Sequence, residues 1–278
     1  MSAIDSHHHF WWLDKHAYKW SEVAGGRLNR DFTPADLAPE LEACGIDGTV
    51  LVQVLHDTAE TADYLDIAHA NDFVRGVVGW VPLADPPAAA RALDELGARG
   101  KLVGIRHLNS YEPDPAWPLQ PGVLESLQRL AAKKLAFDTI PINAAQLDAV
   151  TAAARRVPDL QVVINHLGRP PVPDQGFEPW ATQIIGAAEC PNITMKLSAG
   201  LDIVMRWRWS TDEIRRYVDH VLDRFGANRV MAASNWPVIL LGGSYQEVWH
   251  GITALVSGLS ADERRAVLGG TAERVYRL

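Results

Sequence analysis

The stretch Gly48-Thr49-Val50-Leu51-Val52-Gln53-Val54, "GTVLVQV", decides how the chain is read. It is a short, nearly unbroken run of aliphatic and β-branched residues rather than an alternation of apolar and polar ones. A strand with one wet face alternates, whereas a strand buried on both faces does not, and such strands belong to parallel sheets covered by helices. The runs "QVVIN" and "RVMAAS" repeat the pattern further on. Outward from these, β-rich runs recur at 3–7, 48–54, 74–81, 102–107, 135–139, 161–166, 193–197 and 230–234. Segments of helical character alternate with them at 33–44, 58–71, 86–99, 122–133, 144–156, 177–189, 211–225 and 245–257. Eight β/α units in 278 residues predict a single-domain, distorted (β/α)8 TIM barrel over 1–278. A doubly wound open sheet is the alternative, but no Gly-rich phosphate fingerprint follows the first strand.

Local signals agree with this division. Thr33-Pro34 offers an N-cap followed by proline at the first helical position, and Gly45 can end that helix in a left-handed conformation. Ser260-Ala261-Asp262-Glu263 is a capping-box pattern, opening a last helix expected to stop near Gly269-Gly270.

Composition excludes several classes of function. The chain is 47% hydrophobic and 22% charged, ordinary for a globular protein. A net charge of −8 without any Lys/Arg run argues against nucleic acid or an anionic membrane as partner, leaving a small molecule. Cys44 and Cys190 stand far apart, so neither a disulfide framework nor a cysteine zinc site is expected. With no secretory leader and no long apolar run, the expected location is the cytoplasm. A homo-oligomer stays open.

In a barrel of this kind the chemistry sits where the strands end. Strand one ends in "DSHHHFWW", whose three histidines read as a tag remnant, as surface residues, or as chemistry. On an extended strand His7 and His9, at i and i+2, aim two imidazoles at one point. The remaining strand ends carry Gln53 and His56, then Trp80, Arg106 and His107, Asp138, Asn165 and His166, Lys196, and Ser234-Asn235-Trp236-Pro237. A single histidine at a strand end is more often a hydrogen-bonded structural residue, and Arg106 or Lys196 could simply pair with Asp138. The convergence of so many is what points to a site. His7, His9 and His166 offer nitrogen ligands of the kind that catalytic zinc takes, three from protein with one position open.

The motifs "IDSHHHFW", "GIRH", "INHLGRP", "MKLSAG" and "SNWPV" occur in this order between residues 4 and 238. Together they resemble the amidohydrolase superfamily, and within it the sugar-lactone hydrolases such as fuconolactone and rhamnonolactone hydrolases. The resemblance implies a distorted barrel with at most one divalent metal, zinc being the expected ion, on His7, His9, His166 and position 235. It also implies a strand-eight Ser-Asp-Trp-Pro whose aspartate ligates metal or prepares water. This chain has Asn235 there, and an amide cannot accept a proton near neutral pH. Either this is a natural divergence or an inactivating substitution, and the second is the expectation because the rest of the constellation is intact.

For a lactone, the site must activate water and stabilise an oxyanion. Arg106 or Lys196 would hold the oxyanion, His166 would ligate metal or donate to the carbonyl, and a carboxylate at 235 would move the proton. Trp11, Trp80, Trp207 and Trp236 are expected to stack on the sugar ring, and Gln53, His56, His107 and Asn165 to bond its hydroxyls. Two other readings compete: a metal-dependent nonoxidative decarboxylase of the same superfamily, and a ligand-binding barrel that has lost its chemistry.

Overall fold

The computed structural model describes residues 2–18 and 26–278. Its elements run β1 (Ile4–His8), α1 (Pro34–Cys44), β2 (Gly48–Val52), α2 (Thr58–Ala70), β3 (Val74–Gly79), α3 (Pro86–Gly97), β4 (Leu102–His107), α4 (Pro121–Lys133) and β5 (Ala136–Thr139). They continue with α5 (Ala144–Arg156), β6 (Val162–Ile164), α6 (Trp180–Ala188), β7 (Ile193–Leu197), α7 (Leu201–Val204), α8 (Thr211–Phe225) and β8 (Val230–Ala232). The last helices are α9 (Tyr245–Leu255), α10 (Ala261–Arg265) and α11 (Thr271–Tyr276). All eight strands are parallel and lie in sequence order, β1 to β8.

The sheet closes on itself, which rules out the open doubly wound alternative. At the seam, His9 N–H donates to the Trp236 carbonyl (2.7 Å) and Asn235 N–H to the His7 carbonyl (2.8 Å). The buried Asp5 carboxylate ties the same edge together, accepting Ser234 N–H (2.9 Å), Ser234 Oγ (2.6 Å) and Tyr245 Oη (3.0 Å). These donors at the seam are satisfied inside the protein, as burial demands.

Two apolar clusters account for the continuous strand patterns. Val50, Val52, Val78, Val163 and Met231 point into the barrel, and Leu51, Val77, Ile105, Ile164 and Leu197 point out against the helices. Helix α1 starts as its sequence indicates: Thr33 and Asp36 form a capping box, Pro34 opens the first turn, and Gly45 ends it at φ 63°. The capping box at Ser260 is present, but the chain does not stop at Gly269-Gly270. It passes through one wide turn at 266–270 and continues as α11. Gly269 answers a packing need instead, since a Cβ there would run into the Ser2 carbonyl. The continuation brings Tyr276 beneath the barrel, where its hydroxyl donates to Asp138 (2.8 Å). Among the described residues no helix is long and apolar enough to cross a membrane.

Candidate active site

At the end of β1 the alternation of side chains separates three histidines. His7 and His9 turn inward with their Nε2 atoms 3.2 Å apart, while His8 turns outward to Thr49 Oγ1 (2.9 Å) and the ring of Phe10. His9 Nδ1 lies 2.7 Å from the Val52 carbonyl and must donate to it, leaving the Nε2 lone pair facing His7. Lys196 of β7 approaches His7 Nδ1 at 3.3 Å and pairs with Asp138 of β5 at 2.7 Å. That carboxylate also takes Asn165 Nδ2 (3.0 Å) as well as Tyr276.

Arg106 of β4 brings Nη1 to 3.2 Å from His7 Nε2. It is clamped to Gln53: Nη2 donates to the Gln53 carbonyl, and Gln53 Nε2 donates back to the Arg106 carbonyl at 3.1 Å. Glu60 of α2 holds this corner from behind, accepting Val54 N–H (2.9 Å) and Leu55 N–H (2.8 Å). His166 bonds Ser198 Oγ through Nδ1 (2.8 Å), its ring 4.8 Å from that of His7. Asn235 donates Nδ2 to the Ala199 carbonyl (2.8 Å) and turns its other side toward His9. His166 and Asn235 both sit in the left-handed backbone region, at φ 56° and 60°. Residues other than glycine rarely adopt it, and such geometry concentrates where a site requires one orientation.

Burial sets the charges. His7, His9 and His166 are all pushed well below the usual imidazole range, first by desolvation and then by the neighbouring cations, so the three rings are neutral at pH 7. Burial lowers Arg106 to about 10, still cationic. Lys196 is lowered by burial and held up by Asp138. Glu60 is raised to about 7, again by burial.

Above these residues lies a cavity of about 320 Å³, floored by His9, Arg106, His166 and Asn235, with Trp11 in its wall. Lys196, expected at the oxyanion, is fully buried beneath His7 and reaches no cavity surface. Gln53 likewise stands behind Arg106, and Asn165 is spent on Asp138. His56, Trp80 and His107 form a column of rings to one side: His56 stacks on Trp80 (5.3 Å) and packs on His107 (4.2 Å), which stacks on Trp117 (3.7 Å). There His56 accepts Leu108 N–H (2.9 Å) and His107 Nε2 faces Glu112 (2.8 Å), while Trp80 Nε1 and His107 Nδ1 are buried without a partner among the described residues. Trp207 bonds Glu213 through its indole N–H, and Trp236 packs edge-on against Phe10 and Phe32. Neither lines the cavity, because both rings are taken up in apolar packing.

The cavity wall also contains residues that sequence reasoning passed over. Arg169, inside the quoted "INHLGRP", reaches it paired with Asp202 (Nε to Oδ2, 3.1 Å). Tyr111 and Ile142 reach it from the loops after β4 and β5. No strand-end rule points to these two, since they lie several residues beyond their strands.

The fit of a divalent ion is decided by the donors. Two imidazole nitrogens converge, but His7 is approached by cationic donors on both nitrogens, Arg106 and Lys196. Of the buried carboxylates, Asp138 is consumed by Lys196, Tyr276 and Asn165, and Asp5 by Ser234 and Tyr245. Position 235 supplies an amide, a weaker ligand than a carboxylate. No group of three or more His, Cys, Asp or Glu among the described residues is arranged to hold a metal. As it stands the donor set does not fit the expected zinc.

A closed parallel barrel with histidines from strands one and six beside a strand-eight polar residue defines a hydrolase of amidohydrolase type. The chain belongs to the amidohydrolase family, whose pattern matches residues 4–278. It is similar to an L-fucono-1,5-lactonase of Burkholderia ambifaria, 34% identical over 99% of this chain and 95% of the relative. An L-rhamnono-gamma-lactonase of Scheffersomyces stipitis is 24% identical over 73% of this chain and 70% of its own. In structure it resembles a zinc-bound amidohydrolase of Burkholderia multivorans, with a TM-score of 0.91 and 32% identity over the whole of both chains.

Proposed function

We propose that the protein opens a sugar (aldono) lactone to the aldonic acid, at a rate limited by Asn235. One observation carries this reading: His9, Arg106, His166 and Asn235, from four separate strand ends, share the floor of a single cavity. The similarity to lactonases supports it. With its carbonyl oxygen toward Arg106 and His166, a lactone would place developing negative charge against a guanidinium and an imidazole N–H. With Ser198 Oγ–H donating to His166 Nδ1, Nε2 would carry that proton. Lys196 acts one shell further out, fixing His7 between itself and His9. A small neutral substrate is the partner.

Water must lose a proton to attack and the ring oxygen must gain one to leave. A carboxylate at 235 would do both; an amide does neither. Zinc, when bound, would polarise the carbonyl or acidify water. The present donors do not fit it. An aspartate at 235 would set an oxygen against the Ala199 carbonyl, so it must turn toward His9 and the cavity. The test is Asn235→Asp, with initial rates on aldonolactones corrected for spontaneous opening. A rise in kcat of about 10²–10⁴ is expected. Equal rates would move the base to His166, and no turnover by either protein would favour a binding barrel or the decarboxylase reading.

A further inference from the structure

The cavity lining is of two kinds. Ser110 and the Arg169–Asp202 pair can meet hydroxyls. Leu108, Tyr111, Ile140 and Ile142, from the loops after β4 and β5, offer no polar side chain apart from the Tyr111 hydroxyl. Tyr111 and Ile142 are 57% and 38% exposed, two of the four large apolar side chains left in water among the described residues, and both line this cavity. Scattered singly they would mean little; lining one cavity together they mark a surface that a ligand covers.

This apolar lining is built and braced. Tyr111 packs edge-on against His56 (4.9 Å, 70°), the end of the ring column, and His56 also holds Leu108 N–H. Gln146 joins the two loops, taking Ile142 N–H on Oε1 (2.9 Å) and donating Nε2 to the Asn109 carbonyl (3.0 Å). Thr139 Oγ1 bonds Asn109 Oδ1 at 2.5 Å. The spacing between Tyr111 and Ile142 is thus fixed by hydrogen bonds that take no part in chemistry.

A polyhydroxylated ring pressed against this lining would bury hydroxyls without partners, a costly arrangement, whereas an alkyl or aryl arm would replace water on exposed apolar surface. We infer that the protein has a further activity, the opening of lactones that carry an apolar arm of several carbons, seated between Tyr111 and Ile142. This rests on the lactone-opening reading. Water adds to the ring carbonyl, the acyl–oxygen bond breaks, the ring oxygen leaves as a hydroxyl with one of water's protons, and an alkyl-substituted hydroxy acid is released.

The test uses three lactones of one ring size: δ-valerolactone, δ-decalactone with its pentyl arm, and an aldono-1,5-lactone. Each is offered to the chain, to Asn235→Asp, and to Asn235→Asp carrying Tyr111→Ala and Ile142→Ser. The expected kcat/KM for the pentyl lactone exceeds that for the unsubstituted ring by about tenfold or more, and the double rim variant brings this ratio below about threefold. The ratio is internal to each preparation, so a variant that folds in lower yield still reports it. A ratio near one in the unaltered rim, or a ratio that survives the rim variant, overturns the inference. If no lactone is opened, the catalytic reading fails, and titration followed by tryptophan fluorescence decides the seat. Tighter binding of δ-decalactone than δ-valerolactone by about tenfold upholds it, and equal binding refutes it.

Discussion

Two groups of histidines leave the strand ends, and their fates differ. His9 and His166 reach the cavity floor and His7 lies buried against both, all three rings neutral. His56 and His107 are also lowered by burial, to about 4 and about 3, yet they lie in a stack of aromatic rings with their nitrogens turned to a backbone N–H and to Glu112. Residue type, position after a strand and loss of charge are common to both. What separates them is the direction of the ring, and the column does its work by bracing a loop.

The sharpest way to break this contrast is to remove one ring from each group in the Asn235→Asp protein. His166→Ala is expected to lower kcat/KM by about 10²–10³, through loss of a donor at the oxyanion. His107→Ala should change the rate on an unsubstituted lactone by less than about threefold, while costing about 1–3 kcal/mol in denaturant unfolding. Similar rate losses for both would erase the distinction.

Metal content sharpens it further. Elemental analysis should find well below one divalent ion per chain in the protein as it stands, and up to about one in Asn235→Asp, where an anionic ligand is restored. A full equivalent before the change would mean that the imidazoles suffice despite Arg106 and Lys196.

The smallest expected effect lies behind both groups, at Glu60. Its carboxyl is raised from 4.5 to about 7 in the folded protein, so between these values the folded chain keeps a proton that the unfolded chain releases. Its contribution to stability is therefore full below the lower value and is lost as pH rises through the upper one. Glu60→Gln keeps an acceptor for Val54 and Leu55 but does not titrate. The melting temperature of the variant relative to the parent should climb from about pH 5 to about pH 8. A difference independent of pH would show that Glu60 stays ionised throughout.

The fold was legible because burial on both faces leaves a mark in composition: "GTVLVQV" and its repeats identify parallel strands without any contact being known. The convergence of His7 and His9 was legible for a similar reason, since the two-residue period of a strand fixes which side chains agree in direction. Trp207 and Trp236 show where this ends. A tryptophan after a strand can turn to the ligand or to the core, and the choice depends on Glu213, Phe10 and Phe32, partners remote in sequence. Lys196 was legible as part of the constellation but not as buried beneath it. Tyr111 and Ile142 left no periodic trace, because loop conformation here is set by Gln146 and the ring column rather than by local pattern.

The seam between the first and last strands has a kinetic meaning. Ser234 and His7, in contact there, are 227 residues apart, so this pairing carries one of the largest loop-closure costs in the chain. Asn235 N–H donates to the very residue whose imidazole sits at the centre of the site. A folding chain with seven strands already paired would lack the seam bonds and the Asn235 side chain beside His9. Ring closure and assembly of the site are one event, and a barrel caught short of it is not a weaker enzyme but an unfinished one.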